Sequence, residues 1–131
     1  MFVAKILIID DDAELCEEIA EILTDEGYET TVINDPRRGR EAGEAGNYDL
    51  LLLDLKMPGT NGEEILKALR GRGVRKPVLV VSGNSLKSVG PESADTDDSR
   101  RTVLDLADGL VGKPFDIPQL LARIKTLLDD H

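Results

Sequence analysis

The sequence predicts an α/β fold: a parallel sheet covered by helices on both sides. Two observations predict it. Short apolar runs of strand length alternate five times with segments of helical period, and two of those runs, residues 50–53 and 77–81, are apolar without interruption. Alternation of this kind means strands joined by helical crossovers. Unbroken apolar runs suit strands buried on both faces. Crossovers are right-handed, so helices reach both faces only if the strand order reverses somewhere. Ligands of such folds bind at the carboxyl ends of the strands, near that reversal.

Each element follows from local pattern. Residues 3–9 are apolar apart from Lys5 and rich in β-branched side chains, which predicts a first strand. Asp12 is placed to cap the helix that follows. There Leu15, Ile19, Ile22 and Leu23 recur at helical spacing, with Glu14, Glu17, Glu18 and Glu21 on the other face. Gly27 ends it. Residues 28–33 are β-branched but half polar, as suits a strand near the sheet edge. Asp35-Pro36 is a helix start, a cap followed by a first-turn proline, and the segment to Gly46 is weakly helical because glycines dilute it.

The third strand, residues 50–53, gives out at Asp54. Beyond it Pro58-Gly59 and Asn61-Gly62 punctuate turns. Asn61 can cap the next helix, with Ile65, Leu66 and Leu69 inward; residues 77–81 are the fourth strand. Residues 82–99 are rich in Ser, Gly, Asp and Pro, with Leu86 and Val89 as apolar anchors, and loops this long are functional or disordered. A helix resumes over 98–107 with Val103, Leu104 and Ala107 inward. Leu110-Val111 is a short fifth strand. Asp116 caps a final helix bearing a stripe of Ile117, Leu120, Leu121, Ile124, Leu127 and Leu128.

The 131 residues fit one domain, 1–131, with no internal repeat and no linker to a second. No apolar run approaches a membrane span, and the first nine residues run into Asp10-Asp11-Asp12 without a cleavage site, so a cytoplasmic protein is expected. Cys16 is the one cysteine, which excludes an intrachain disulfide and thiol metal sites; its helical setting suits a small buried hydrophobe. His131, the sole histidine, is the last residue, so catalysis by an internal histidine is excluded. The net charge of −10 and the absence of tryptophan disfavour nucleic acid and anionic membranes; Arg37-Arg38-Gly39-Arg40 and Arg100-Arg101 read as solvated faces.

In a parallel sheet every strand ends on one edge. Strand one ends in Asp10-Asp11, strand three in Asp54, strand four in Ser82 and strand five in Lys113. Each has a plainer reading taken singly. Asp10-Asp11-Asp12 is then a capping run, Asp54 a turn former, Ser82-Gly83 a turn, and Lys113-Pro114 an exposed lysine before a helix. Together they gather three carboxylates, a hydroxyl and an ammonium. Clustered carboxylates repel one another unless a cation sits between them. Oxygen donors without thiol or imidazole favour a hard ion, Mg²⁺ in particular. Lys113 offers a point charge and Ser82 a donor to phosphoryl oxygens, the parts phosphoryl transfer needs.

These motifs resemble the response regulator receiver domain of two-component signalling: Ile6-Leu7-Ile8-Ile9-Asp10-Asp11-Asp12, Asp54-Leu55-Lys56-Met57-Pro58-Gly59 with Asn61-Gly62, Val81-Ser82-Gly83, and Lys113-Pro114-Phe115. The resemblance spans essentially the whole chain. It implies a flavodoxin-like (βα)5 three-layer sandwich with its five parallel strands in order 2-1-3-4-5. It implies Asp54 as the phosphoacceptor of a histidine kinase or phosphotransfer protein. Mg²⁺ would be held by Asp10, Asp11, Asp54 and the Lys56 backbone carbonyl, while Lys113 and Ser82 bind the phosphoryl group. It further implies a downstream protein partner, and a homodimer through the fourth helix, fifth strand and fifth helix face. Lys56 and Asn84 are at positions that tune hydrolysis of the acyl phosphate. Two departures stand out: Leu110 replaces an aromatic residue usual three positions before the lysine, and the segment between Ser82 and Arg100 is longer than usual.

The expected function is therefore a phosphorylation switch that is not an enzyme beyond autodephosphorylation. One rival is a pseudo-receiver, a binding module with the fold but no switch. Another is a phosphatase with an aspartyl-phosphate nucleophile, disfavoured because Lys56 stands where a second acid is wanted. A dinucleotide enzyme is also disfavoured, since no Gly-x-Gly-x-x-Gly follows the first strand.

Overall fold

The computed structural model describes residues 3–57, 60–82, 103, 105–112 and 116–130. Its elements in chain order are β1 (Lys5–Ile9), α1 (Ala13–Asp25), β2 (Glu29–Ile33), α2 (Pro36–Ala45), β3 (Leu50–Asp54), β4 (Lys56–Met57), β5 (Thr60–Asn61), α3 (Gly62–Gly71), β6 (Val78–Ser82), β7 (Gly109–Gly112) and α4 (Ile117–Asp130). Val103, Asp105 and Leu106 are also helical; the rest of the helix expected over 98–107, and nearly all of the long 82–99 loop, lie outside the described residues.

The five long strands pair in parallel in the order β2-β1-β3-β6-β7, which counts as 2-1-3-4-5 along the chain, the flavodoxin-like order. β4 and β5 form a separate two-stranded antiparallel ribbon, Lys56 opposite Asn61. The half-polar segment expected near an edge is β2, at one edge of the sheet.

Alternation along the strands divides the core in two. Leu50 and Leu52 of β3 join Ile6, Ile8, Leu79 and Val81 under Cys16, Ile19 and Leu23 of α1 and Leu120 and Ile124 of α4. Leu51 and Leu53 join Leu7, Ile9, Val78 and Val80 under Ile65, Leu66 and Leu69 of α3. Side chains of successive strand residues point to opposite faces, so an all-leucine strand feeds both cores.

Helix ends obey the expected chemistry. The Asp12 carboxylate accepts from Leu15 N at 3.1 Å, and Asp35 caps α2 by accepting from Arg37 N at 3.3 Å, with Pro36 in the first turn. Gly46 ends α2 in the left-handed region at φ 73°.

The glycines that weaken α2 as an isolated helix are the face it packs with. A Cβ at Gly39 would stand 2.6 Å from Ile9 Cγ2, and one at Gly43 3.0 Å from Leu69 Cδ2. The carbonyl of Gly43 also accepts from the hydroxyl of buried Tyr48 at 2.8 Å.

At the amino-terminal ends of β6 and β7, Arg70 of α3 spends its guanidinium on four acceptors: Leu106 O (2.9 Å), Val74 O (2.9 Å), Lys76 O (3.0 Å) and Asp108 Oδ2 (2.9 Å). The same Asp108 oxygen accepts from Val78 N at 2.8 Å. α3 and the two strands are thereby fixed to one another at the edge away from the strands' carboxyl ends. No helix among the described residues is long and apolar enough to cross a membrane.

Gly39→Ala is expected to lose about 1–2 kcal/mol in urea unfolding, because Ile9 is buried and cannot yield. Gly71→Ala, at a position with nothing within 4 Å of a new Cβ, is expected to gain up to about 1 kcal/mol. A second test concerns Tyr48, whose phenol is pushed up to about 12 by burial, with Arg70 opposing. Tyr48→Phe should cost about 1 kcal/mol at neutral pH for the lost hydrogen bond. The unfolded chain releases the Tyr48 proton near pH 10, while the folded chain holds it to about pH 12, so wild type loses stability across that window. Its advantage over Tyr48→Phe should shrink as pH rises from 10 to 12 in parallel unfolding curves.

Candidate functional site

Register builds the site. Ile9 pairs with Leu53, so Asp10, one residue on, falls beside Asp54; Asp54 pairs with Val81, which sets Ser82 one step further, level with Gly112 of β7. Carboxylate oxygens of Asp10, Asp11 and Asp54 lie within 4.8 Å of one another. Asp10 and Asp54 are 4% and 5% exposed, the buried charged residues among those described, whereas Asp11 is exposed. Like charges side by side repel one another, and a cation placed between them would relieve that repulsion.

The donor set fits a hard divalent ion. All three donors are carboxylate oxygens, and oxygens around Mg²⁺ at about 2.0–2.1 Å stand about 3–4 Å apart. The three carboxylate oxygens, all within 4.8 Å of one another, are close enough to share one ion.

The surroundings orient these groups. Asp12 N donates to Asp10 Oδ1 at 3.0 Å, turning that carboxylate back over the start of α1. The main-chain carbonyl of Asp10 accepts from Asn34 Nδ2 at 2.9 Å and from the Cys16 thiol at 3.4 Å. Cys16 is fully buried, as a small hydrophobe should be, and lies directly behind the pocket. Among the described residues no buried side-chain nitrogen or oxygen lacks a partner.

Behind Asp54 the chain turns sharply through the β4–β5 ribbon, and Gly62 N donates to Leu55 O at 2.8 Å. A Cβ on Gly62 would collide with the Asp54 carbonyl oxygen and stand 2.9 Å from Leu55 Cα. Gly62 is thus needed for α3 to start hard against the strand that carries Asp54.

Of the residues expected at this edge, the structure brings together Asp10, Asp11 and Asp54. The backbones of Ser82 and Lys56 lie in β6 and β4, while Lys113 and Asn84 lie outside the described residues. Leu110 is partly buried against the core containing Val103. Sequence reasoning missed Asn34 and the packing role of Gly62. Asn34 carried a usable signal, since it too follows the last residue of a strand.

Residues 6–125 match the family described as response regulator receiver domain. The chain is 35% identical over 127 residues to the transcriptional regulatory protein PcoR of Escherichia coli, covering 95% of this chain and 51% of that protein. It is 36% identical over 124 residues to the response regulator ArlR of Staphylococcus saprophyticus, covering 95% and 52%. The chain therefore spans about half the length of the curated relatives it matches. Among solved structures it resembles a CheY-like receiver domain protein from Methanospirillum hungatei (TM-score 0.83, 27% identity, covering 98% and 96% of the two chains). It also resembles the response regulator TrrA of Thermotoga maritima in complex with Mg²⁺–BeF (TM-score 0.75, 27% identity, covering 95% and 99%).

Gly62→Ala is expected to destabilise the fold by about 2–3 kcal/mol, since the collision is with main chain that cannot rotate away. Thermal unfolding beside the tolerant Gly71→Ala change checks it.

Proposed function

The chain belongs to the response regulator receiver domain family, and from that membership we propose that Asp54 is a phosphoacceptor and these 131 residues one receiver domain. A carboxylate oxygen of Asp54 attacks the phosphorus of a phosphohistidine on a kinase or phosphotransfer protein; the P–N bond breaks and the electron pair leaves with the imidazole. The meeting of Asp10, Asp11 and Asp54 at the carboxyl edge of the sheet carries this reading. A similar protein captured with Mg²⁺–BeF supports it.

Asp10, Asp11, Asp54 and the Lys56 carbonyl would hold Mg²⁺, which when bound neutralises phosphoryl charge. Lys113 supplies a second positive charge and Ser82 a hydroxyl donor. The chain's own contribution is position: a rigid buried strand presents Asp54, and the neighbouring carboxylates fix the approach. Phosphorylation adds about 1.5–2 negative charges. Moving a switch from 1:99 to 99:1 takes about 5.5 kcal/mol, and a few charge-assisted contacts at about 1.5–3 kcal/mol each cover that. The output is a protein-binding surface for a downstream partner or a second copy. With a net charge of −10, this domain makes no direct contact with nucleic acid. It acts on no separate substrate.

Leu110, a departure from the family's aromatic, favours a second reading: a pseudo-receiver whose partner affinity does not respond to beryllofluoride. The deciding experiment is intact mass after incubation with acetyl phosphate and Mg²⁺. One phosphoryl mass is expected on wild type, none on Asp54→Asn, and none with excess EDTA. A wild-type chain that stays unmodified, with a histidine kinase also supplied, overturns the phosphoacceptor reading.

A further inference from the structure

We infer that Asn34 is a positioning residue for the acidic pocket, holding Asp10 through its main-chain carbonyl. The inference rests on the reading of Asp10, Asp11 and Asp54 as the Mg²⁺ site, and goes beyond it by naming what fixes the first of those ligands.

The parallel ladder between β1 and β2 shows what this side chain replaces. Glu29 N donates to Ala4 O, and Asp10 N donates to Ile33 O at 3.2 Å. In a parallel ladder that alternation sends the next rung from the N–H of residue 35 to the carbonyl of residue 10. Asp35 is the N-cap of α2, where the chain leaves the sheet. At the Asp10 carbonyl stands Asn34 Nδ2, 2.9 Å away, a carboxamide N–H in the place of a backbone one. The strand can peel off into its helix while the carbonyl behind the pocket stays satisfied.

The chemistry of the group matches its neighbours. An amide NH₂ carries two donors, and Asn34 Nδ2 meets two acceptors, Asp10 O and Cys16 Sγ at 3.5 Å. A flipped amide would set its oxygen against a carbonyl that cannot donate, so the orientation is fixed. One side chain just past the edge strand thus ties together the end of β1, the first turn of α1 and the exit of β2. Asp10, 4% exposed, is held at both ends, its carboxylate by Asp12 N and its carbonyl by Asn34. Without Asn34 the β1–α1 turn keeps its fold but loses one of the tethers that keep Asp10 aimed at Asp54 and Asp11.

The test is a Mg²⁺ titration of the 131-residue chain, followed by the amide NMR shifts of residues 10–12. Wild type, Asn34→Ala, Asn34→Leu and Tyr48→Phe are compared below their unfolding temperatures. Tyr48→Phe also loses one hydrogen bond to a main-chain carbonyl, that of Gly43, and controls for a purely structural loss. Both Asn34 variants should bind Mg²⁺ about three- to tenfold more weakly than wild type, and Tyr48→Phe should stay within about twofold. Asn34 variants within about twofold of wild type, or Tyr48→Phe weakened as much as they are, overturn the inference and leave the Mg²⁺ site standing. A wild-type chain with no Mg²⁺ response overturns the site and the inference together.

Discussion

The pocket exists only if β3 is held in one register against β1, and the leucines of β3 do not hold it. Leu50, Leu51, Leu52 and Leu53 are all buried, so a slip of one residue would still place leucine on both faces. The slip would move Asp54 by about 3.3 Å and turn its side chain to the other face, away from Asp10. The register is pinned at the opposite end of the strand. Lys5 N donates to the Asp49 carboxylate at 2.7 Å, and Asp49 N donates to Lys5 O at 2.7 Å. Leu51 N donates to Pro77 O at 3.0 Å on the other side, so both neighbours of β3 are indexed to it before the strand reaches the site. A local pair of bonds at the amino edge thereby sets which carboxylates meet at the carboxyl edge.

This explains why so much of the site was legible in the sequence. A parallel sheet sends the last residue of every strand to one edge, so Asp10 and Asp54 could be assigned to the same edge from hydrophobic runs alone. The strand order could not. It followed from resemblance, because nothing in the runs says that β1 sits between β2 and β3. Asn34 went unseen because a polar residue before Asp35-Pro36 looks like part of a helix cap. Its function lies in a bond to a backbone atom 24 residues away, which pattern does not register.

The second helix shows the opposite limit. By propensity Gly39 and Gly43 argue against a helix, and by packing they are what permits one. Their missing side chains let α2 approach Ile9 and Leu69, so the price in helix stability is returned in contact with the core. Composition records the first effect and is silent on the second. Gly62 repeats the lesson closer to the site. It reads as a turn residue, yet its lack of a Cβ is what lets α3 begin against the Asp54 carbonyl.

The acidic pocket is held together against its own charge. Like-charged carboxylates whose oxygens lie within 4.8 Å of one another repel, and the repulsion is stronger in a buried setting than in water. Asp10 and Asp54 are nonetheless both buried at the end of rigid strands, in a chain whose net charge is already −10. The hydrogen bonds on Asp10 help to hold it there by taking away its freedom to turn outward. A cation that binds these oxygens in the folded chain stabilises the fold in proportion to its affinity. The repulsion among these carboxylates and their attraction for a cation come from the same charges, so the geometry that costs stability is also the geometry that would hold the ion.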